Sequence, residues 1–234
     1  MSADADKKAA AEAAALLVEP EMTLGLGTGS TAGHFIAALA RRIEGGLMVK
    51  GVPTSDDTAR KAAAAGIDLI DPDETTIIDL AIDGADEIDS ALSLIKGGGG
   101  ALLREKIIAG SARRFIVIAD ASKKVAQLGR FALPVEIDRF AFALTVRAVR
   151  EMLGALGYAK ADIRLRAGPA GPAFMSDGGN FILDCALSRI ADAGALDRAL
   201  KSIPGVVETG LFIGLAAEAI IAGPGGLERL TRQQ

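Results

Sequence analysis

A rhythm constrains this chain more than any other feature: short apolar runs stop at glycine-rich or acidic turns and give way to helix-patterned stretches. Residues 22–26 run into Gly27-Thr28-Gly29-Ser30-Thr31, and 32–42 then carry Phe35, Ile36 and Leu39 at helical spacing. The run 47–53 leads to Ser55-Asp56-Asp57-Thr58, a capping sequence for a helix that reaches Ala65. A short run at 67–70 ends in the turn Asp71-Pro72-Asp73-Glu74. Residues 76–82 read as the clearest strand, with Asp83-Gly84-Ala85-Asp86-Glu87 directly behind it. After Lys96 come four consecutive glycines, a helical stretch at 101–114, a strand at 115–119 and the turn Asp120-Ala121-Ser122-Lys123. The Ala-rich residues 3–19, stopped by Pro20, precede all of this as an opening helix. Strands alternating with helices predict an α/β fold with a doubly wound, mostly parallel, Rossmann-like sheet.

From about residue 131 the rhythm changes. Strands at 133–137, 163–165 and 180–185 and around Val206 are interleaved with helices at 140–157 and 192–203, with a Gly/Pro-rich loop at 167–173. Two strand-helix-strand units in so few residues predict a second, smaller α+β domain. The apolar stretch 211–222 returns to the first core. The expected division is therefore 1–130 with 208–234 for the Rossmann-like unit, and 131–207 for the small lobe.

Composition removes several functions. With Lys+Arg 26 against Asp+Glu 30, the formal net charge is -4, so the basic footprint of a nucleic-acid binder is missing. Cys185 is the only cysteine and reads as a buried small hydrophobe; His34 is the only histidine and reads as a packed or surface residue. Zinc needs more ligands of these kinds, so no metal and no cofactor is expected. The N-terminal residues do not follow a signal-peptide pattern, and apolar stretches are interrupted by Glu12, Glu19 and Glu218. The expectation is a cytoplasmic protein with neither membrane nor nucleic-acid partners.

Four polar clusters fall just after expected strands, where open α/β sheets bind ligands. The glycine turn at 25–31 lets the backbone curl beside a helix N-terminus and suits a phosphate, although it lacks the Gly-Lys-Ser/Thr ending of a P-loop. Asp83 and Asp86 offer two carboxylates that can accept hydrogen bonds from sugar hydroxyls. The run Lys96-Gly97-Gly98-Gly99-Gly100 implies a special backbone path or close ligand approach, and Lys96 supplies a cation for a developing enolate oxygen. Glu105 would point back toward that loop from an early helical turn, and Lys123 brings an ammonium to another strand end. Each alone has a plainer reading: a packing turn, a solvated Asp-Gly turn, an exposed glutamate paired with Arg104 or Lys106, and a surface lysine.

Taken together, GLGTGSTA at 25–32, DGADEID at 83–89, KGGGGALLREK at 96–106, IADASK at 118–123 and IPGVVETGLF at 203–212 resemble the A-type ribose-5-phosphate isomerases. The likeness runs over nearly the whole chain and thins in the small lobe. It implies an isomerase that interconverts D-ribose 5-phosphate and D-ribulose 5-phosphate in the pentose phosphate pathway, acting on a small sugar phosphate as a homodimer. It further implies Glu105 as catalytic base, with Lys96, Asp83 and Asp86 as its catalytic companions. A substrate site is implied at Thr28, Gly29, Ser30, Thr31, Asp83, Gly84, Ala85, Asp86, Lys96, Gly97, Gly98, Gly99 and Lys123; apart from the resemblance, the generic pair Lys7-Lys8 leaves open an approach of Lys7 to the phosphate. The rivals are a sugar-phosphate deaminase or lactonase, which would be expected to employ a catalytic histidine, and a sensor domain, which would need a DNA-binding segment.

Overall fold

The computed structural model describes residues 2–168, 171 and 173–232. Pro169, Ala170 and Pro172 of the expected 167–173 loop lie outside the described residues. In chain order the first half contains α1 (Ala3–Ala15), β1 (Thr23–Leu26), α2 (Ser30–Glu44), β2 (Lys50–Pro53), α3 (Asp56–Ala64) and β3 (Asp68–Leu69). Then come β4 (Leu80–Asp83), β5 (Glu87–Ile88), β6 (Leu94–Ile95), α4 (Leu102–Ser111) and β7 (Phe115–Asp120). The small lobe carries β8 (Leu133–Ile137), α5 (Phe142–Leu153), β9 (Asp162–Leu165), β10 (Phe181–Ala186), α6 (Ala193–Lys201) and β11 (Val206–Thr209). The chain closes with β12 (Leu211–Phe212), β13 (Glu218–Gly223) and β14 (Gly226–Thr231).

The main sheet runs β14-β13-β7-β4-β1-β2-β3, parallel except for the edge strand β14. Its parallel strands reverse their order of addition between β1 and β4, and ligands bind beyond the carboxyl ends of strands at such a switch point. Every residue of β7 and β13 is buried, as expected of central strands covered on both faces. One face packs against α1 and α2 through Ala10, Ala14, Phe35 and Leu39, the other against α4 and the inner residues of β6 and β12. The small lobe is an antiparallel sheet, β11-β8-β10-β9, whose core joins Val135 and Leu183 to Val149, Leu196 and Leu200 on α5 and α6.

Several elements differ from the expectations. The opening helix stops at Ala15, because the chain must turn toward β1; the Arg42 guanidinium donates to the freed carbonyls of Ala15 and Val18. The strand expected at 76–82 begins only at Leu80, since Thr75 and Thr76 are drawn into a turn by Asp73 and Ile78 makes a lone bridge to Ala112. It runs on to Asp83, which is therefore a strand residue. The helix α5 starts later and ends earlier than expected, and a π-type turn at Gly154–Tyr158 finishes it where Gly157 takes φ 93°. Two features had no sequence forecast: the three-stranded sheet β12-β6-β5, and the edge strand β14.

Candidate active site

The carboxyl ends of β1, β4 and β7 and the glycine run before α4 enclose one cleft. Its walls are Lys7, Thr28, Gly29, Ser30, Thr31, Gly84, Ala85, Asp86, Lys96, Gly97, Gly98, Gly99, Glu105 and Lys123. Residues from distant parts of the chain thus meet as the sequence suggested. Asp83 is the exception: it lies behind the wall, buried beneath Lys96.

At the wall of the cleft, α2 begins without a side-chain cap. Gly29 stands at its N-cap with φ 105°, a left-handed conformation that favours glycine, so no side chain covers the first N–H groups of the helix. Those free donors and the positive end of the helix dipole suit an anion. Lys7 reaches over from α1 and donates to Ser30 Oγ at 3.2 Å. Lys123 sits on the short turn Ala121–Lys123, whose start is held by Asp120 accepting from the Ser122 N–H at 3.0 Å. Two ammonium groups and a bare helix terminus therefore line one cleft.

The same cleft is bordered by three buried ionisable groups. Lys96 Nζ is 2.9 Å from Asp83 Oδ2, 3.3 Å from Glu105 Oε2 and donates to the Gly84 carbonyl at 2.7 Å. The side chains of Lys96 and Glu105 are only 3% and 4% exposed. Asp83 is well supplied: its Oδ1 accepts from the N–H groups of Thr28 at 3.0 Å and Gly84 at 2.7 Å. A Cβ on Gly27 would fall 2.1 Å from that same oxygen, so the close passage of β1 requires glycine there. Glu105 is poorly supplied, and its Oε2 lacks a well-aligned donor among the described residues.

One ammonium serves two carboxylates, so one of them is better off protonated. Burial, and then repulsion from Asp83, raises the Glu105 carboxyl to about 8, against a weaker opposing pull from Lys96. Burial also raises Asp83, opposed by Lys96 and by its hydrogen bonds. Burial works to lower Lys96, but Asp83 and Glu105 outweigh it and hold the ammonium above its ordinary value. Among the described residues Asp83 has three protein donors to stabilise its charge and Glu105 has only the Lys96 ammonium, so Glu105 is the readier of the two to hold a proton. The result is a glutamate whose basicity is matched to neutral pH, beside a permanently charged ammonium.

Asp86 lines the cleft and accepts from the Gly98 N–H at 2.8 Å, fixing the glycine run to the end of β4. His34 is away from the cleft, hydrogen-bonded to Asp4 at 3.0 Å, and Cys185 is buried in the small-lobe core. Among the described residues no group of His, Cys, Asp and Glu side chains is gathered to hold a metal ion, and no helix is long and apolar enough to cross a membrane.

The sequence assigned no site role to several contributors. Thr54, Ser55 and Thr58 gather around Thr28 Oγ1 at 2.8, 2.9 and 3.1 Å; the capping pattern at 55–58 marked a helix start, not a support for the cleft. Phe212 packs its ring 5.5 Å from Lys96 Nζ and 5.0 Å from Lys106 Nζ. Glu87, in the DGADEID segment, is buried and accepts from the N–H groups of Gly129 and Phe131, both at 2.7 Å, tying β5 to the approach to β8.

Comparison with known proteins agrees with this geometry. The chain is 54% identical over 232 residues to a ribose-5-phosphate isomerase A of Rhodopseudomonas palustris (strain BisB18), a match covering 99% of this chain and 100% of the relative. Its fold superposes on the ribose 5-phosphate isomerase of Plasmodium falciparum with a TM-score of 0.93 at 34% identity, over 99% of this chain and 100% of that one. A D-ribose-5-phosphate isomerase solved in complex with phospho-erythronic acid gives a TM-score of 0.91 at 36% identity, again over 99% and 100%. The family model described as ribose 5-phosphate isomerase A (phosphoriboisomerase A) matches residues 50–226, and with these full-length relatives the chain belongs to the ribose-5-phosphate isomerase A family.

Proposed function

We propose that this chain is an aldose–ketose isomerase that interconverts D-ribose 5-phosphate and D-ribulose 5-phosphate, with Glu105 as the base. The observation that carries the assignment of the base is the buried pair of Glu105 and Lys96, 3.3 Å apart, lining the same cleft as a phosphate-ready helix terminus. The phosphate sits at Gly29, Ser30 and Thr31 with Lys7 and Lys123, and its binding energy sets the reacting carbons against Glu105. In the open-chain aldose, ionised Glu105 takes the C2 proton. The C–H electrons form the C1=C2 bond, and the carbonyl electrons move onto O1, where the Lys96 ammonium stabilises the enediolate. The hydroxyl proton passes from O2 to O1, with Asp86 on the cleft wall as shuttle. Glu105 returns its proton to C1, which leaves the ketone at C2. Asp83 works one step removed, by holding Lys96.

The ligand of the solved relative supports the same chemistry, since the carboxylate of a phosphorylated four-carbon acid reproduces the two oxygens of an enediolate. Within the same proposal the enzyme is a homodimer working in the cytoplasm without nucleic-acid or membrane partners, supported by the family likeness and by the net charge of -4. The division into residues 1–130 with 208–234 and residues 131–207 also belongs to it, supported by a core cluster drawn mostly from 131–207, to which Ile95, Leu128 and Leu211 also contribute.

The decisive substitution is Glu105→Gln, which keeps shape and removes the base. Turnover of ribose 5-phosphate should drop by about 10²–10⁴-fold, while the substrate dissociation constant stays near that of the parent. Parental turnover in that variant would remove Glu105 from the mechanism.

A further inference from the structure

The small lobe supplies a clamp on the glycine run that the isomerase reading, on which this inference rests, does not use. Arg166 stands just beyond β9, with its side chain 13% exposed. Asp184 on β10 locks one side of the guanidinium, accepting from Nε at 3.0 Å and from Nη2 at 2.5 Å. Nη1 faces the other way and donates to the carbonyl oxygens of Gly97 at 2.8 Å and Gly98 at 3.2 Å. Phe174 completes the clamp. Its N–H donates to the Arg166 carbonyl at 2.8 Å, its ring lies 5.7 Å from the guanidinium carbon, and it covers Gly100 so closely that a Cβ there would fall 2.4 Å from the ring.

The consequence follows from peptide geometry. A trans peptide is planar, with its C=O and N–H pointing to opposite sides, and no cis bond occurs among the described residues. Arg166 draws the carbonyls of Gly97 and Gly98 to its own side, so the N–H groups of Gly98 and Gly99 face away from it. The Gly98 N–H does so and is taken by Asp86 Oδ2 at 2.8 Å. Asp86 and Gly99 both line the cleft, so the Gly99 N–H is directed toward the same side. A glycine run has no side chains to hold its peptide planes; a turn bond from the Gly100 N–H reaches the Gly97 carbonyl at 3.0 Å, and Arg166 adds an external restraint that extends to the Gly98 carbonyl. A cationic donor on each carbonyl also polarises the peptide and strengthens the N–H at its other end.

We propose that Arg166, held by Asp184, is a positioning residue for the isomerisation: it orients the glycine run so that the Gly99 N–H donates to an oxygen of the reacting sugar. The planar fork of arginine is needed because one group must face a carboxylate and two carbonyls at once, which a single ammonium cannot do.

The test uses the full chain as Arg166→Met, Arg166→Lys and Asp184→Asn, with steady-state isomerisation of ribose 5-phosphate, inhibition by phospho-erythronic acid and by inorganic phosphate, and melting temperature. In Arg166→Met, kcat should fall by about 100-fold, phospho-erythronic acid should weaken in parallel, and inhibition by inorganic phosphate should stay within about twofold, since only interactions with the reacting end are lost. Arg166→Lys should recover about tenfold of that loss by keeping one donor to the carbonyls, with Asp184→Asn between the two. If Arg166→Met does not fold, Arg166→Lys and Asp184→Asn decide by the same criteria. Parental kcat in the folded variants, or a loss confined to KM and phosphate inhibition, would overturn the proposal even if melting temperatures fall. An inactive parent protein would instead overturn the isomerase reading, and this inference with it.

Discussion

Glu105 sits where three effects meet: burial, a neighbouring carboxylate and a shared ammonium. Burial and the Asp83 charge favour its protonated form, and Lys96 opposes them too weakly to restore an ordinary carboxyl. On the proposal that Glu105 is the base it must be ionised to act, so kcat/KM should climb with pH along a limb centred near 8, the value to which Glu105 is raised in the free protein. A pH–rate profile of kcat/KM measures this directly, and a limb centred near the ordinary 4.5 would contradict the geometry. The residues of this centre could be named from GLGTGSTA, DGADEID and KGGGGALLREK, but their division of labour could not. Asp83 and Asp86 belong to one motif and read as equivalent hydroxyl ligands. Only the folded chain separates them, because Asp83 ends a strand and faces Lys96 while Asp86 lies past the turn and faces the cleft.

At the level of elements, the turn after β1 is held by the start of α3. Ser55 caps α3 by accepting from the Thr58 N–H at 3.0 Å, and it also accepts from Thr28 Oγ1 at 2.9 Å. Thr58 Oγ1 donates to the Gly27 carbonyl at 2.9 Å, so the helix start and the glycine turn share one set of hydroxyls. Ser55→Ala should therefore lower unfolding stability by about 1 kcal/mol through loss of the cap and raise KM by releasing Thr28. Urea denaturation with steady-state kinetics checks both, and an unchanged denaturation midpoint would show that the cap contributes nothing. Elements with a strong period were legible: β7 and β8 lie where their apolar runs place them. The two-residue strands β5 and β6 are too short to carry a period. The edge strand β14 is mostly exposed and so lacks the apolar alternation that betrays a half-buried strand.

For the molecule as a whole, the buried centre is a cost to stability with a pH signature. Glu105 is raised from 4.5 to about 8 on folding, so the folded state keeps a proton that the unfolded chain releases. The favourable contribution is complete below about pH 4.5 and is lost as pH rises toward 8. Raised Asp83 acts in the same sense from its ordinary 3.8 upward. Melting temperatures of the parent and of Glu105→Gln, compared across this range, should diverge, with the variant gaining relative stability as pH rises. Parallel curves would mean that Glu105 titrates alike in both states.

The apolar runs, their glycine and acidic stops, and the change of rhythm near residue 131 were sufficient by themselves for an α/β sheet with a smaller lobe, while the cleft residues were named through the resemblance carried by GLGTGSTA, DGADEID, KGGGGALLREK and IADASK. Those signals are local, since burial of a strand or the curl of a glycine turn depends on neighbours in the chain. Tertiary structure alone decided that Lys96 stands between two buried carboxylates, that Glu105 is left short of donors, and that Arg166 reaches across from the small lobe to the glycine run. Distance, burial and charge between residues far apart in the chain set these properties, and no spacing along a single sequence encodes them.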